Sequence, residues 1–222
     1  MNPSPETARL HYVHDPMCSW CWGFRPVWDT VEHNLPDGVR VIRRVGGLAP
    51  DSDAPMPEEM RQGLQQTWRR IQQRIPGTEF NFDFWTRNTP RRSTWPACRA
   101  VIAARKLGGD AADRAMTLGI QQAYYLQARN PSDRDVLADI AEATGLDRNA
   151  FESLMDGPEI HRLLADELAE VRALGIDSFP SLRIEKDGRA VHLPIDYTDP
   201  GHLLRQIESF IEHPYGQHVA SA

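Results

Sequence analysis

Cys18 and Cys21 stand three positions apart in Cys18-Ser-Trp-Cys21, at the head of a helical pattern. Apolar residues follow at Cys21, Phe24, Trp28, Val31 and Leu35, in steps of three and four that mark one face of a helix. Residues three apart share that face, so the two sulfurs come within disulfide reach. The unpaired N–H groups and the dipole at a helix start favour negative charge there, which makes Cys18 the expected attacking thiolate. Cys21 lies one turn further in, on the apolar face with Phe24 and Trp28, and is the expected resolving thiol. A cationic His14, four residues before Cys18, would favour the thiolate further; a strand-end histidine with no role is the alternative.

The same spacing has other uses. A C-x-x-C is half of a zinc site. The chain holds no second C-x-x-C and no H-x-x-x-H, so only Cys98 and His14 could complete a metal set. Two structural buried thiols are a further alternative. The residues themselves favour redox chemistry without a metal. Cys98, in Ser93-Thr-Trp-Pro-Ala-Cys98, is expected at the first turn of another helix, either as a small buried hydrophobe or as an auxiliary thiol.

These cysteines need elements to position them. Leu10–His14 reads as a strand ahead of Cys18, and Val39–Val45 as a second strand beyond the turn Pro36-Asp37-Gly38. Strand, helix and strand together predict a parallel β-α-β unit. Pro26 falls inside the helix, where a proline costs about 3 kcal/mol and predicts a kink. From Pro57 the period is helical for over a hundred residues. Helices are predicted along Met60–Ile75, from Pro96 to about Leu107, from Asp110 to Ala128, after a Ser132/Asp135 capping box, over Asn149–Met155, and from Pro158 to Gly175. Ser181–Glu185 and Arg189–Leu193 flank Asp187-Gly188 as a hairpin, and Asp199-Pro200 opens a last helix to about Glu212. A strand pair at each end with helices between predicts one sheet built from both halves.

The segment His14-Asp-Pro-Met-Cys-Ser-Trp-Cys-Trp-Gly-Phe24 resembles the active-site segment of the DsbA family of thiol-disulfide oxidoreductases. It is closer to the FrnE-like, predicted protein-disulfide isomerase branch of the thioredoxin superfamily. The order of elements is similar along essentially the whole chain. The resemblance implies an α/β, thioredoxin-like fold with a large all-helical insertion. Residues 1–50 plus 175–222 would form the thioredoxin-like domain and 51–174 the inserted helical domain. It implies a cis-proline at Pro180, in Ser178-Phe179-Pro180, facing the dithiol, with Phe179 beside the disulfide. Ser19, Trp20, Trp22 and Phe179 then become the expected substrate contacts, and His14 and Cys98 candidate modulators.

The implied activity is thiol-disulfide exchange on protein or peptide substrates, as reductase, oxidase or isomerase, with a recycling redox partner. No metal or organic cofactor is required beyond the redox-active Cys18–Cys21 pair, and glutathione is the candidate small molecule. The dipeptide Ser19-Trp20 differs from that of the best-known periplasmic oxidants, so oxidant strength is not implied. Two other functions stay open: a glutathione-dependent isomerase of the 2-hydroxychromene-2-carboxylate or polyketide type, and a non-catalytic redox-sensing or chaperone-like module.

Bulk properties agree with these classes. The 222 residues carry a net charge of −6, which disfavours nucleic acid and anionic membranes as partners. Three cysteines are too few for a disulfide-stapled secreted scaffold. Met1–Glu6 shows no basic or apolar leader pattern, and no apolar run approaches the ~18 residues of a membrane span, so a cytoplasmic location is expected.

Overall fold

The computed structural model describes residues 8–212; the leader reading rests on Met1–Glu6 and lies outside them. In chain order the elements are β1 (Ala8–His14), α1 (Ser19–His33), β2 (Val39–Val45), α2 (Glu58–Arg74), α3 (Phe84–Arg87), α4 (Trp95–Tyr125), α5 (Arg134–Ala143), α6 (Arg148–Asp156), α7 (Pro158–Ala173), β3 (Ser181–Lys186), β4 (Arg189–Leu193) and α8 (Pro200–Glu212). The strands form one sheet in the order β2-β1-β3-β4. β1 runs parallel to β2 and antiparallel to β3, and β3 is antiparallel to β4. Leu10 thus lies between Val41 and Ile184 in register. The sheet joins residues from both halves of the chain, with α2 to α7 inserted between β2 and β3.

Side chains alternate across a strand, and β1 uses both faces. Leu10 and Tyr12 pack with Phe24, Trp28 and Val31 of α1 and with Leu203 and Ile207 of α8. Val13 points the other way, onto Val171 of α7 and Ile176. The helical insertion has its own core, with Trp68, Ile71, Phe84, Trp85, Met116, Ile120, Leu137 and Phe151 all buried. Trp68 is its aromatic centre, stacked on Phe80 at 4.8 Å between ring centroids and set against Trp85 at 4.9 Å.

Two departures from the sequence pattern have local causes. The helices expected on either side of Gly108-Gly109 abut as α4, with a break at Gly109 (φ 69°, ψ −160°), a conformation that favours glycine. The Ser132/Asp135 capping box does not form. Asp133 is the N-cap of α5, and the Ser132 hydroxyl donates instead to the Ser93 carbonyl at 2.7 Å. That bond ties the start of α5 to the loop leading into α4. Among the described residues no helix is long and apolar enough to cross a membrane.

Candidate active site

Cys18 is the N-cap of α1, with an extended backbone (φ −82°, ψ 118°). Its amide donates to the Asp15 carbonyl at 3.0 Å, and its own carbonyl accepts from Trp22 N at 3.0 Å. A helix thus begins at the sulfur-bearing residue, with free N–H groups around it. The Cys18 thiol donates to the Phe179 carbonyl across 3.4 Å, and the Phe179–Pro180 peptide is cis. Cys18 keeps 6% of its surface exposed while Cys21, one turn in, has none. Both are free cysteines. Burial pushes the Cys21 thiol well above its ordinary range, and the neighbouring Cys18 sulfur adds to the effect. Cys18 therefore keeps a small exposed surface, and Cys21 is sealed behind it.

Asp15 organises the floor of this site, a role that nothing in the sequence spacing marks. Its carboxylate is fully buried. It accepts from Met17 N and Leu48 N, each at 2.8 Å, from the Thr94 hydroxyl at 2.7 Å and from the Cys98 thiol at 3.5 Å. Burial raises its pKa, and the hydrogen bonds from Leu48, Thr94 and Met17 oppose the rise. One side chain thus fastens the turn before Cys18, the loop after β2 and the start of α4. Cys98 is fully buried, and burial followed by the Asp15 carboxylate pushes its thiol well up.

The loop after β2 is shaped by two glycines, Gly46 and Gly47. A Cβ on Gly46 would lie 2.1 Å from the Phe179 ring, so Phe179 reaches its position only over a bare backbone. Gly47 has φ +63°, and its carbonyl accepts from Trp95 Nε1 at 3.3 Å. Gly23 allows α2 to approach α1: a Cβ there would meet Ile75 at 2.8 Å.

The remaining site candidates divide. Trp20 is half-buried against Tyr197, with ring centroids 5.2 Å apart. Trp22 is half-buried, stacks on Tyr125 at 5.6 Å and donates from Nε1 to the Glu79 carbonyl at 3.0 Å, so it fastens α1 to the insertion. Ser19, an expected substrate contact, faces the insertion. It is buried, and its hydroxyl accepts from Trp68 Nε1 at 2.9 Å, which turns it into the insertion core.

Of the two readings of His14, its surroundings favour the strand-end histidine over the cation. It is fully buried, stacked on Tyr12 at 5.0 Å, with no hydrogen-bond partner for either ring nitrogen. Burial first, and the Arg43 charge second, lower its pKa to about 3. It is neutral near pH 7 and lends Cys18 no charge. Among the described residues, no three His, Cys, Asp or Glu side chains are grouped to hold a metal ion. A cavity of about 530 Å³ opens beside the site, lined by Trp22, Pro26, Val27, Ile75, Pro76 and Tyr197 among others.

Known proteins share this fold. The chain superposes on a putative protein disulfide isomerase from Nitrosomonas europaea with a TM-score of 0.81 and 24% identity, over 94% of this chain and 99% of that one. It superposes on the cytosolic disulfide reductase DsbM from Pseudomonas aeruginosa with a TM-score of 0.71 and 29% identity, over 93% and 98% of the two chains. DsbM is also known in a structure with GSH, where the TM-score is 0.69 at 27% identity, over 93% of this chain and 98% of that one. Among curated proteins, the ClpXP adapter protein SpxH of Bacillus subtilis (strain 168) is 23% identical over 180 residues, 80% of this chain and 58% of that protein. The chain thus spans a little over half the length of the curated relatives it matches. The family model for the DSBA-like thioredoxin domain matches residues 9–195, and the chain belongs to that family.

Proposed function

We propose that this protein exchanges thiols and disulfides through Cys18 and Cys21, in the direction of disulfide reduction. The observation that carries the reading is the pairing of a rim thiol with a sealed one. Cys18 stands at the helix start against the Phe179 carbonyl, and Cys21 is fully buried one turn behind it. The Cys18 thiolate attacks one sulfur of a substrate disulfide. That bond breaks, a mixed disulfide forms, and the first substrate thiol leaves. Cys21 then attacks the Cys18 sulfur and releases the second thiol. Two electrons pass from the dithiol to the substrate, and the two protons end on the product thiols. Pro180 and Phe179 line the approach to Cys18, and Trp20 forms its aromatic rim.

The direction rests on the likeness to DsbM, a cytosolic disulfide reductase, and its structure with GSH supports a small peptide thiol as substrate or recycling partner. The same likeness supports a cytoplasmic setting. In an insulin-reduction assay, Cys18→Ser should abolish turnover, and Cys21→Ser should accumulate mixed disulfides on Cys18. Wild-type rates in Cys18→Ser would reject the mechanism and favour a binding module, an adapter role included.

A further inference from the structure

Arg74 is the last residue of α2, and its side chain leaves the helix toward the dithiol end of α1. The guanidinium carbon lies 5.8 Å from the centroid of the Trp20 ring and 5.5 Å from that of Tyr197. Those two rings are themselves in contact, and Trp20 sits in the chain between the two cysteines. Tyr197 also packs edge-on against Phe24 of α1, at 5.9 Å between ring centroids, so the shelf is fixed to the helix that carries both cysteines.

Arg74 is exposed, and no carboxylate of the described residues pairs with it. Asp196, beside Tyr197 in the chain, is occupied, since its Oδ1 accepts from Thr198 N, Thr198 Oγ1 and Asp199 N. An arginine held by its flat faces keeps its N–H edges free, and those edges match a carboxylate in two parallel hydrogen bonds. The protein is acidic overall, with a net charge of −6, so a free cation beside the dithiol runs against the background field.

We propose that Arg74 is a specificity residue that selects carboxylate-bearing peptide disulfides of the glutathione kind, seating a carboxylate over the Trp20–Tyr197 shelf while the sulfur meets Cys18. The inference rests on the exchange reading above. The aromatic shelf orients the cation and excludes water from one side of the ion pair. Selection therefore acts on how fast the substrate reacts and not on the chemistry at sulfur, because Arg74 touches neither reacting atom.

The test uses the full chain, reduced with dithiothreitol, desalted, and mixed in single-turnover mode with either oxidised glutathione or the uncharged hydroxyethyl disulfide. Arg74→Gln is expected to slow the reaction with oxidised glutathione about fivefold, the weight of one exposed charge pair, and to leave the uncharged disulfide within about twofold. Arg74→Lys should recover part of the loss. Added salt should slow the wild type toward oxidised glutathione and leave Arg74→Gln unaffected. If Arg74→Gln slows both substrates alike, or neither, Arg74 does not select charge and the inference fails while the exchange reading stands. If the wild type reacts with neither disulfide, the exchange reading itself fails.

Discussion

α1 and α4 each begin with a cysteine within their first turn, and Asp15 serves both starts, yet the two thiols are in opposite situations. At α1, Cys18 is the N-cap, keeps a little exposed surface and faces the Phe179 carbonyl. At α4, Cys98 is the fourth residue of the helix, has no exposed surface, and donates a hydrogen bond to the buried Asp15 carboxylate. The helix dipole favours a thiolate in both places, but at α4 the Thr94 and Trp95 amides donate to the Ala49 carbonyl and Cys98 N to that of Thr94. What separates them is the partner and the solvent. Cys18 keeps a little contact with solvent and faces an uncharged carbonyl. A buried carboxylate repels a second negative charge and raises the Cys98 thiol. A cysteine at a helix start is therefore reactive only when the remaining surroundings permit a charge there.

Alkylation breaks or keeps this comparison most directly. In the reduced native protein at pH 7, iodoacetamide should modify Cys18 at least about a thousandfold faster than Cys98, the factor imposed by a local opening of ~4 kcal/mol. Peptide mapping by mass spectrometry over a time course measures both rates. Comparable rates would mean that the start of α4 is as accessible as that of α1. The next effect in size comes from the group the two helices share. Asp15→Ala removes the acceptor of Met17 N, Leu48 N and Thr94 Oγ1 together, and should cost about 2–3 kcal/mol in urea unfolding. An unchanged midpoint would show that the tie between the two helix starts contributes nothing to stability.

How far the sequence reaches differs along the same lines. Periodicity and turn chemistry carry the element order, since Leu10, Phe24, Trp28, Ile184 and Ile207 must all bury an apolar face against one sheet. The Cys18–Cys21 pair is equally plain, because its spacing is itself the mechanism. Long-range partners leave no periodic trace. Gly46 is indispensable to Phe179 through a contact spanning the chain, yet reads locally as a mere strand stop. Ser19 looks like a substrate contact until Trp68 of α2 claims its hydroxyl. His14 looks like a cation because its type titrates near neutrality, and only burial among Tyr12, Arg43 and the α4 side chains removes the charge. Charge state depends on the whole surroundings, which sequence spacing does not encode.

His14 and Asp15, neighbours at the end of β1, extend the comparison to protonation. Both are fully buried, yet Asp15 has hydrogen-bond donors converging on it and His14 has neither ring nitrogen partnered. Around His14, Arg43 and Arg105 oppose a positive charge, and Asp113 alone favours one. Asp113 is itself committed: burial would raise its carboxyl, but Arg43 and Arg105 hold it below its ordinary value. The sign of the pH effect follows. Above about pH 6.5 the imidazole is neutral folded and unfolded alike, and the full stability is present. As the pH falls below that, the unfolded chain binds a proton that the folded chain refuses, so stability falls by up to about 1.4 kcal/mol per pH unit until the folded pKa of about 3 is reached. His14→Phe keeps a ring against Tyr12 and removes the titration. Its urea stability between pH 6 and 4 should lose that part of the slope while keeping the part due to Asp113. Parallel stability curves for the variant and the wild type would mean that His14 is already charged in the fold. The contrast between two buried side chains in one turn would then collapse, and a cation four residues before Cys18 would return as a factor in its reactivity.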